Sequence, residues 1–323
     1  MTILTIRFDL RNPAATGVAT ADRFAACLDM CEWAERSGFV AVVLSEHHGV
    51  EDGYLPSIFT MAAAIAARTE RILINLAAVI APLHDPIRLA EDAAVVDQLS
   101  RGRLHLVLAN GYVPAEFETF GVALSDRPKL VTEAVATLRQ AWSGEPFTFR
   151  GRTARVTPRP FQPAGPPISL GGSSDAAARR AARLGTGFMP SLPQYWQTYR
   201  DECLRLGHAD PGPGVPFQPM FLYVAHDVEA AWAEVGEACL YEMNAYGAWA
   251  AEGQSDTGYQ PLADVAALRS MGMHLVVTPE ECVELARSSG MLMFHPMIGG
   301  LAPEVAWRSL RLFESDVLPH LPS

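Results

Sequence analysis

Hydrophobic positions along the chain fall into two alternating kinds of stretch. Short aliphatic or β-branched runs occupy 3–10, 39–45, 72–81, 104–109, 167–171, 186–191, 217–225 and 291–298. Stretches with an apolar face at helical spacing occupy 21–37, 56–69, 86–100, 128–143, 174–184, 193–207, 228–252, 279–289 and 303–316. Strand then helix, repeated in one order, predicts parallel strands joined by crossover helices. Eight strand-like runs with a helix after the last predict an α/β fold, a (β/α)8 TIM barrel with insertions, as one domain over residues 1–323. A bare barrel needs roughly 250 residues. The surplus falls in 145–166, proline-rich with a short hairpin, in the turn-rich 208–216, and in 244–262, which reads as a lid.

The third unit shows how the pattern is punctuated. Asp85 is placed to cap a helix, Pro86 takes its first position, Ile87, Ala90, Ala94 and Val95 mark one face, and Gly102 lies just past the end. The strand before it, INLAAVIAPLHDP over 74–86, turns small at Ala77 and Ala78 where it reaches a loop. Small side chains at a strand end leave room for something against the backbone, either a helix or a flat ligand.

Composition narrows the functional classes. With 323 residues and 49% hydrophobic content, a sizeable core is available. Lys+Arg 25 against Asp+Glu 36 gives a net charge of −11, which disfavours a nucleic-acid partner. The N-terminus has no signal-peptide pattern and no window is long and apolar enough to span a bilayer, so a cytoplasmic protein is expected. Five scattered cysteines (Cys27, Cys31, Cys203, Cys239, Cys282) without a CxxC pair suggest neither a disulfide framework nor a zinc site.

In a barrel of this kind the chemistry sits at the C-terminal strand ends. Those ends read Ser45-Glu46-His47-His48-Gly49, Ala77-Ala78, Ala109-Asn110-Gly111-Tyr112, Gly171-Gly172-Ser173-Ser174 and Phe294-His295-Pro296. The His47-His48 pair offers proton transfer near neutral pH, and alternation along a strand turns at most one of the two toward the axis. Such a pair serves equally well as a hydrogen-bonded cap on the barrel. GGSSDAAARRAARLG over 171–185 is a ligand signal, since glycines admit an anion to the backbone, Ser173 and Ser174 bring hydroxyls, and a helix N-terminus follows. An ordinary glycine-rich turn with a serine cap has the same composition, and Arg179 and Arg180 beyond it read as well as solvated residues. His47, His48, His84 and His295 lack the HxH or HExxH spacing that would set two ligands on one face, so no metal is expected. Tyr112 and His295 are the substrate-side candidates, with Phe188, Met293 and the stretch near Trp249 as further apolar lining.

The run from SEHHGVEDGYLPSIF through LANGYVPAEFETFGV, residues 45–122, together with PFQPAGPPISLGGSSDAAARRAARLG and the ending FHPMIGGLAPEVAWRSLRLF, resembles the bacterial luciferase-like family of flavin-dependent monooxygenases and their deazaflavin-dependent relatives. The resemblance covers most of the chain. It implies a luciferase-like (β/α)8 barrel, usually homodimeric, with a flavin at the C-terminal strand ends. Ala77 and Ala78 look like the family's strand-three bulge, often with a non-proline cis peptide, on which the flavin ring rests. His47 matches the active-site histidine that assists proton transfer around the flavin, and Gly171, Gly172, Ser173 and Ser174 look like part of the phosphate-binding loop. One departure concerns Asn110, which stands where luciferase carries a phosphate-binding arginine. Either the strand-five loop compensates or the phosphate-bearing tail differs.

The resemblance implies a two-component monooxygenase using O2 and reduced FMN, supplied by a flavin reductase, on a small apolar organic substrate. The alternatives are hydride transfer through a deazaflavin coenzyme on the same barrel, and a cofactor-free structural or non-redox barrel protein.

Overall fold

Aliphatic runs without a polar face must be covered on both sides, and helices packed outside a parallel sheet provide that cover. The computed structural model describes residues 2–214 and 219–321 and shows this arrangement. In chain order the elements are β1 (Ile3–Phe8), α1 (Thr20–Arg36), β2 (Ala41–Leu44), α2 (Ile58–Arg68), β3 (Leu73–Ile80), α3 (Pro86–Ser100), β4 (Leu104–Ala109), α4 (Pro114–Phe120), α5 (Arg127–Ala141), β5 (Phe147–Phe149), β6 (Arg152–Ala154), β7 (Ile168–Gly172), α6 (Asp175–Leu184), β8 (Gly187–Pro190), α7 (Gln194–Arg205), β9 (Phe221–Val224), α8 (Val228–Glu252), α9 (Val265–Ser270), β10 (His274–Val277), α10 (Pro279–Ser289), β11 (Met291–Phe294) and α11 (Pro303–Leu312).

Seven strands form one curled parallel sheet in the order β11-β1-β2-β3-β4-β7-β8. One face of this sheet buries Ile6, Val42, Leu44, Ile74, Leu76, Leu106 and Leu108 completely. Helix boundaries follow local chemistry. Asp85 caps α3 by accepting from the N–H groups of Ile87 and Arg88, with Pro86 at the first position. Thr278 and Glu281 form a reciprocal capping box at α10. The side chain of Arg103 donates to the backbone carbonyls of Ala66, Thr69, Ile72 and Ser100, tying the end of α2 to the start of β3 and the end of α3.

The sheet departs from the expected closed ring of eight strands. The run expected at 217–225 contributes β9, with 217–218 lying outside the described residues, and β9 pairs with the unexpected β10 in a separate two-stranded parallel ladder. Part of the reason is local. The Val224 N–H donates to Ser309 Oγ on α11 (2.7 Å), so a helix side chain takes a donor that a neighbouring strand would otherwise use. β9 and β10 gather a second apolar cluster with Trp232, Val235 and Met243 of α8 and Leu268 of α9. The hairpin expected within 145–166 is β5–β6, and the run expected to 298 ends at Phe294. α4 and α9 were not expected. No helix among the described residues is long and apolar enough to cross a membrane.

Candidate active site

The floor of the site is the exit of β3. The Ala77–Ala78 peptide is cis, and the pairing of β3 with β4 shifts register between Ala77 and Val79. Both alanines remain half-buried, so their small faces are open. Beside them β4 leaves the sheet through Ala109, Asn110 and Gly111. Gly111 has φ +70°, and a Cβ there would lie 2.7 Å from Ile80 Cγ2 and 2.9 Å from Phe117, so the turn admits only glycine.

The next wall is the β7–α6 turn. The buried face of α6 is all alanine (Ala177, Ala178, Ala181, Ala182), which lets the helix sit close against the sheet. A Cβ on Gly172 would stand 2.4 Å from Ala177 Cβ. Ser174 caps the helix by accepting from the Ala177 N–H (3.3 Å). The N–H groups of Asp175 and Ala176 have no acceptor among the described residues and face outward at the positive end of the helix.

A cavity of about 440 Å³ joins these pieces. Ala77, Ala78, Asn110, Tyr112, Gly171, Gly172, Ser173 and Ser174 all line it, as does Arg127, a residue with no signal in the strand-end pattern. Its roof is the loop after α8, with Gly253, Gln254, Ser255 and Thr257, so the segment read as a lid does cover the opening. Ser173 Oγ and Ser255 Oγ lie 2.9 Å apart and join wall to roof. A Cβ on Gly253 would fall 2.0 Å from the Tyr112 carbonyl oxygen, so the roof approaches the β4 wall to within glycine distance. Burial pushes the Tyr112 phenol far above its ordinary pKa, keeping it a neutral hydroxyl.

His47 stands one side chain behind the open space. Its ring packs against Tyr112 (centroids 5.9 Å apart), Trp249 (4.5 Å), Tyr54 (4.8 Å) and Tyr246 (5.7 Å). His47 Nδ1 hydrogen-bonds Glu116 Oε1 at 2.8 Å, and the same oxygen accepts the His48 N–H at 2.8 Å. Glu116 lies on α4, the helix that the periodicity missed, although Pro114 at its start and Gly121 after its end are written in the sequence. With Nδ1 donating to the carboxylate, Nε2 is the nitrogen left to take up or release a proton.

His48 turns the other way. Together with His84 it meets the buried carboxylate of Glu46, at 2.5 and 2.7 Å, while Glu46 Oε2 accepts the Ile80 N–H at 3.1 Å. Burial opposes the charge on Glu46, but the two histidine hydrogen bonds outweigh it and bring its pKa down to about 2. Of the four scattered histidines, His48 and His84 therefore converge on Glu46, whereas His47 and His295 lie apart.

His295 is corrected from the substrate side to the interior. It is fully buried and absent from the cavity lining, with Nε2 3.6 Å from Asp9 Oδ2 and Nδ1 3.6 Å from Glu242 Oε2. The strand ends at Phe294 and the chain then turns inward, so a position past the strand end does not face the opening. Phe188 is likewise core, and Met293 does not reach the cavity. Near His295, Arg11 is clamped by Asp52 and lies over the rings of Trp249 (4.6 Å) and Tyr54 (4.8 Å), so the aromatic shell behind His47 is filled by the chain's own cation.

The two glycines of the β7 exit separate into different roles. A Cβ on Gly171 meets only ordinary contacts, Ala109 Cβ and Val107 Cγ1 at 3.5 Å, whereas one on Gly172 collides with α6. Gly171→Val is expected to fold with an unchanged melting temperature and to weaken ligand binding in the cavity. Gly172→Val is expected to lower the melting temperature as well. Calorimetry beside a flavin titration checks both, and unchanged affinity in a folded Gly171→Val protein would remove the β7 exit from the binding site.

The sequence profile of the luciferase-like monooxygenase family matches residues 4–289. Limonene 1,2-monooxygenase of Rhodococcus erythropolis is 26% identical over 321 residues, covering 91% of this chain and 80% of that protein. The oxygenase component of a flavin-dependent trigonelline monooxygenase of Acinetobacter baylyi is 30% identical over 149 residues, 44% of this chain and 41% of that protein. An uncharacterized protein of Sinorhizobium fredii, y4vJ, is 32% identical over 156 residues, 47% of this chain and 44% of its own length. The matched stretch thus spans less than half of the last two relatives. Among solved structures, the monooxygenase RslO1 of Streptomyces bottropensis superposes with a TM-score of 0.73 at 25% identity over 98% of this chain and 99% of its own. Two more distant structures share the fold. One is the oxygenating constituent of 3,6-diketocamphane monooxygenase of Pseudomonas putida in complex with FMN (TM-score 0.75, 19% identity, 100% of this chain and 99% of that one). The other is an F420-dependent secondary alcohol dehydrogenase in complex with an F420-acetone adduct (TM-score 0.70, 16% identity, 100% of each chain). With the family profile spanning nearly the whole length, this chain belongs to the luciferase-like monooxygenases and is an enzyme of that family.

Proposed function

We propose that the chain is a flavin-dependent monooxygenase acting on a small apolar organic substrate with O2 and reduced FMN, the FMN supplied by a separate reductase. The observation that carries this reading is the single cavity in which a small-residue floor, Ala77–Ala78, runs on to a glycine-serine turn and a guanidinium. A flavin mononucleotide asks for both ends at once, an apolar bed for its planar ring and polar or positive groups for its phosphate. The FMN-bound relative of the fold and the flavin-dependent trigonelline enzyme lend support. The reading takes the curled sheet, with β9 lying against β11, as the wall of one (β/α)8 barrel.

A reduced flavin, when bound, supplies the electrons and the oxygen-activating chemistry. The chain's own residues do the rest. Ala77 and Ala78 bear the ring, and Gly171 to Ser174 leave backbone accessible to the phosphate. Tyr112 and the Gly253–Thr257 roof exclude water from the ring's open face. His47 moves a proton through Nε2, and Glu116 is a positioning residue that fixes the imidazole through Nδ1.

Absorbance titration with FMN and with F420, coupled to oxygen uptake in the presence of a flavin reductase, tests the reading. FMN binding with oxygen uptake is the expected result. F420 binding without oxygen uptake would replace it with hydride transfer, and binding of neither coenzyme would overturn a flavin role altogether.

A further inference from the structure

Arg11, just past the end of β1, is fully buried in the shell behind His47. Of its side-chain nitrogens only Nη1 donates a hydrogen bond, to the Asp52 carboxylate, while Asp9 Oδ2 lies 3.6 Å from Nε. Among the described residues Nε and Nη2 have no acceptor. The guanidinium lies over ring faces instead, 4.6 Å from the centroid of Trp249, 4.8 Å from Tyr54, 5.2 Å from Tyr246 and 6.0 Å from Tyr241. A buried ion pair seldom stabilises a fold more than apolar side chains of the same volume, so stability alone does not account for a cation here. Two of the four rings are shared with the histidine: Trp249 lies 4.5 Å from the His47 ring and Tyr54 lies 4.8 Å from it. Glu116 fixes the imidazole only at Nδ1. One hydrogen bond leaves a ring free to swing about it, and the two shared rings close off that swing. Asp52 belongs to the same frame, since its Oδ1 accepts the Tyr54 N–H (3.1 Å) and its Oδ2 the Tyr241 O–H (2.9 Å).

We propose that Arg11 is a positioning residue for His47: its guanidinium, fixed by Asp52, draws the faces of Trp249 and Tyr54 onto itself and so sets the plane of the imidazole and the direction of Nε2. The assignment rests on the reading of His47 as the group that moves a proton, and adds to it the charge that aims that group. Arginine suits the place because its flat, delocalised cation lies against several ring faces at once, whereas a lysine ammonium is a compact, strongly hydrated point charge. The same contact reaches the roof, because the Trp249 carbonyl accepts the N–H of Gly253 (2.9 Å), where the loop over the cavity begins.

The test compares the wild type, Arg11→Lys, a neutral variant combining Arg11→Met with Asp52→Asn, His47→Ala, and the neutral variant with His47→Ala added. Neutralising Asp52 together with Arg11 avoids leaving its carboxylate buried and unpaired. Oxidation of protein-bound reduced FMN by O2 is followed by stopped-flow absorbance, FMN affinity by titration and folding by calorimetry. The imidazole is followed in 15N spectra of histidine-labelled protein, where the His47 signals are those missing from His47→Ala. The neutral variant is expected to slow the oxidation roughly ten-fold or more while FMN affinity stays within about two-fold of wild type, and to shift or broaden the His47 signals. Arg11→Lys, which keeps the charge, recovers part of the rate. Adding the neutral pair to His47→Ala slows it no further, because a residue that acts through His47 then has nothing left to aim. A folded neutral variant that keeps the wild-type rate or the wild-type imidazole spectrum overturns the assignment, and so does an equal slowing with and without His47. If neither Arg11→Lys nor the neutral variant folds, Arg11 is a structural staple and the assignment falls. A wild type that binds no FMN overturns the flavin reading. The spectra then decide the positioning by themselves: His47 signals that move in the neutral variant support it, and signals that stay in place overturn it.

Discussion

Replacing His47 by alanine lowers turnover by about 10²- to 10⁴-fold, the range that a positioned proton-transfer group contributes, while flavin affinity stays nearly unchanged. The separation of the two effects follows from placement. His47 is absent from the cavity lining and stands behind Tyr112, whereas the floor and the β7 turn line the cavity directly. The residue is 7% exposed and hemmed in by four aromatic residues. Glu116→Gln preserves shape and keeps a hydrogen-bonding oxygen, yet removes the charge beside Nδ1. It is expected to reduce kcat less than His47→Ala and to displace the pH profile of kcat with KM and melting temperature unchanged, an outcome that a packing role would not produce. Wild-type turnover in His47→Ala would take this histidine out of the reaction.

The second large effect is on stability. Glu46→Ala is expected to cost about 3 kcal/mol, the low end of the range for removing one partner of a buried charged pair, because His48 and His84 retain some access to water. It strips the acceptor from two imidazoles and from the Ile80 N–H, just beyond the cis peptide of the floor. The pH dependence has a definite sign. The Glu46 pKa is lowered from 4.5 to about 2, so its contribution is complete above 4.5 and is lost as pH falls toward 2. For His84, burial works against the charge but the Glu46 hydrogen bond raises the pKa above 6.5, so that contribution is complete below 6.5 and is lost as pH rises through the raised value. The gap in melting temperature between wild type and Glu46→Ala should therefore be widest between pH 4.5 and 6.5 and narrow on both sides. A gap that stayed constant from pH 3 to 9 would show that the histidines are not coupled to Glu46.

What the sequence disclosed was local. The Asp85-Pro86 start of α3 and the Ser174 cap of α6 are set by neighbours a few residues apart and reappear in the fold, whereas the small pair Ala77-Ala78, expected to end its strand, makes a bulge inside β3, which continues to Ile80. The gathering of Asn110, Tyr112 and the 171–174 turn around one opening reappears as well. What stayed hidden depends on meetings across the fold. Glu116 reaches His47 from 69 positions away on a seven-residue helix, too short for a periodicity to register. β10 is four residues long and pairs outside the main sheet, so neither its length nor a repeat spacing announced it. His295 misled for the complementary reason: its place after a strand was legible, but the inward turn that buries it between Asp9 and Glu242 depends on charges brought by β1 and α8.

Gly253 sets the height of the cavity. Because its missing side chain is all that allows the roof to close on the Tyr112 carbonyl, the height of the chamber is governed at a point where no reacting atom is touched. Any residue larger than glycine here would prop the ceiling off the wall, trading closure for headroom without altering the Ala77–Ala78 floor or the β7 turn.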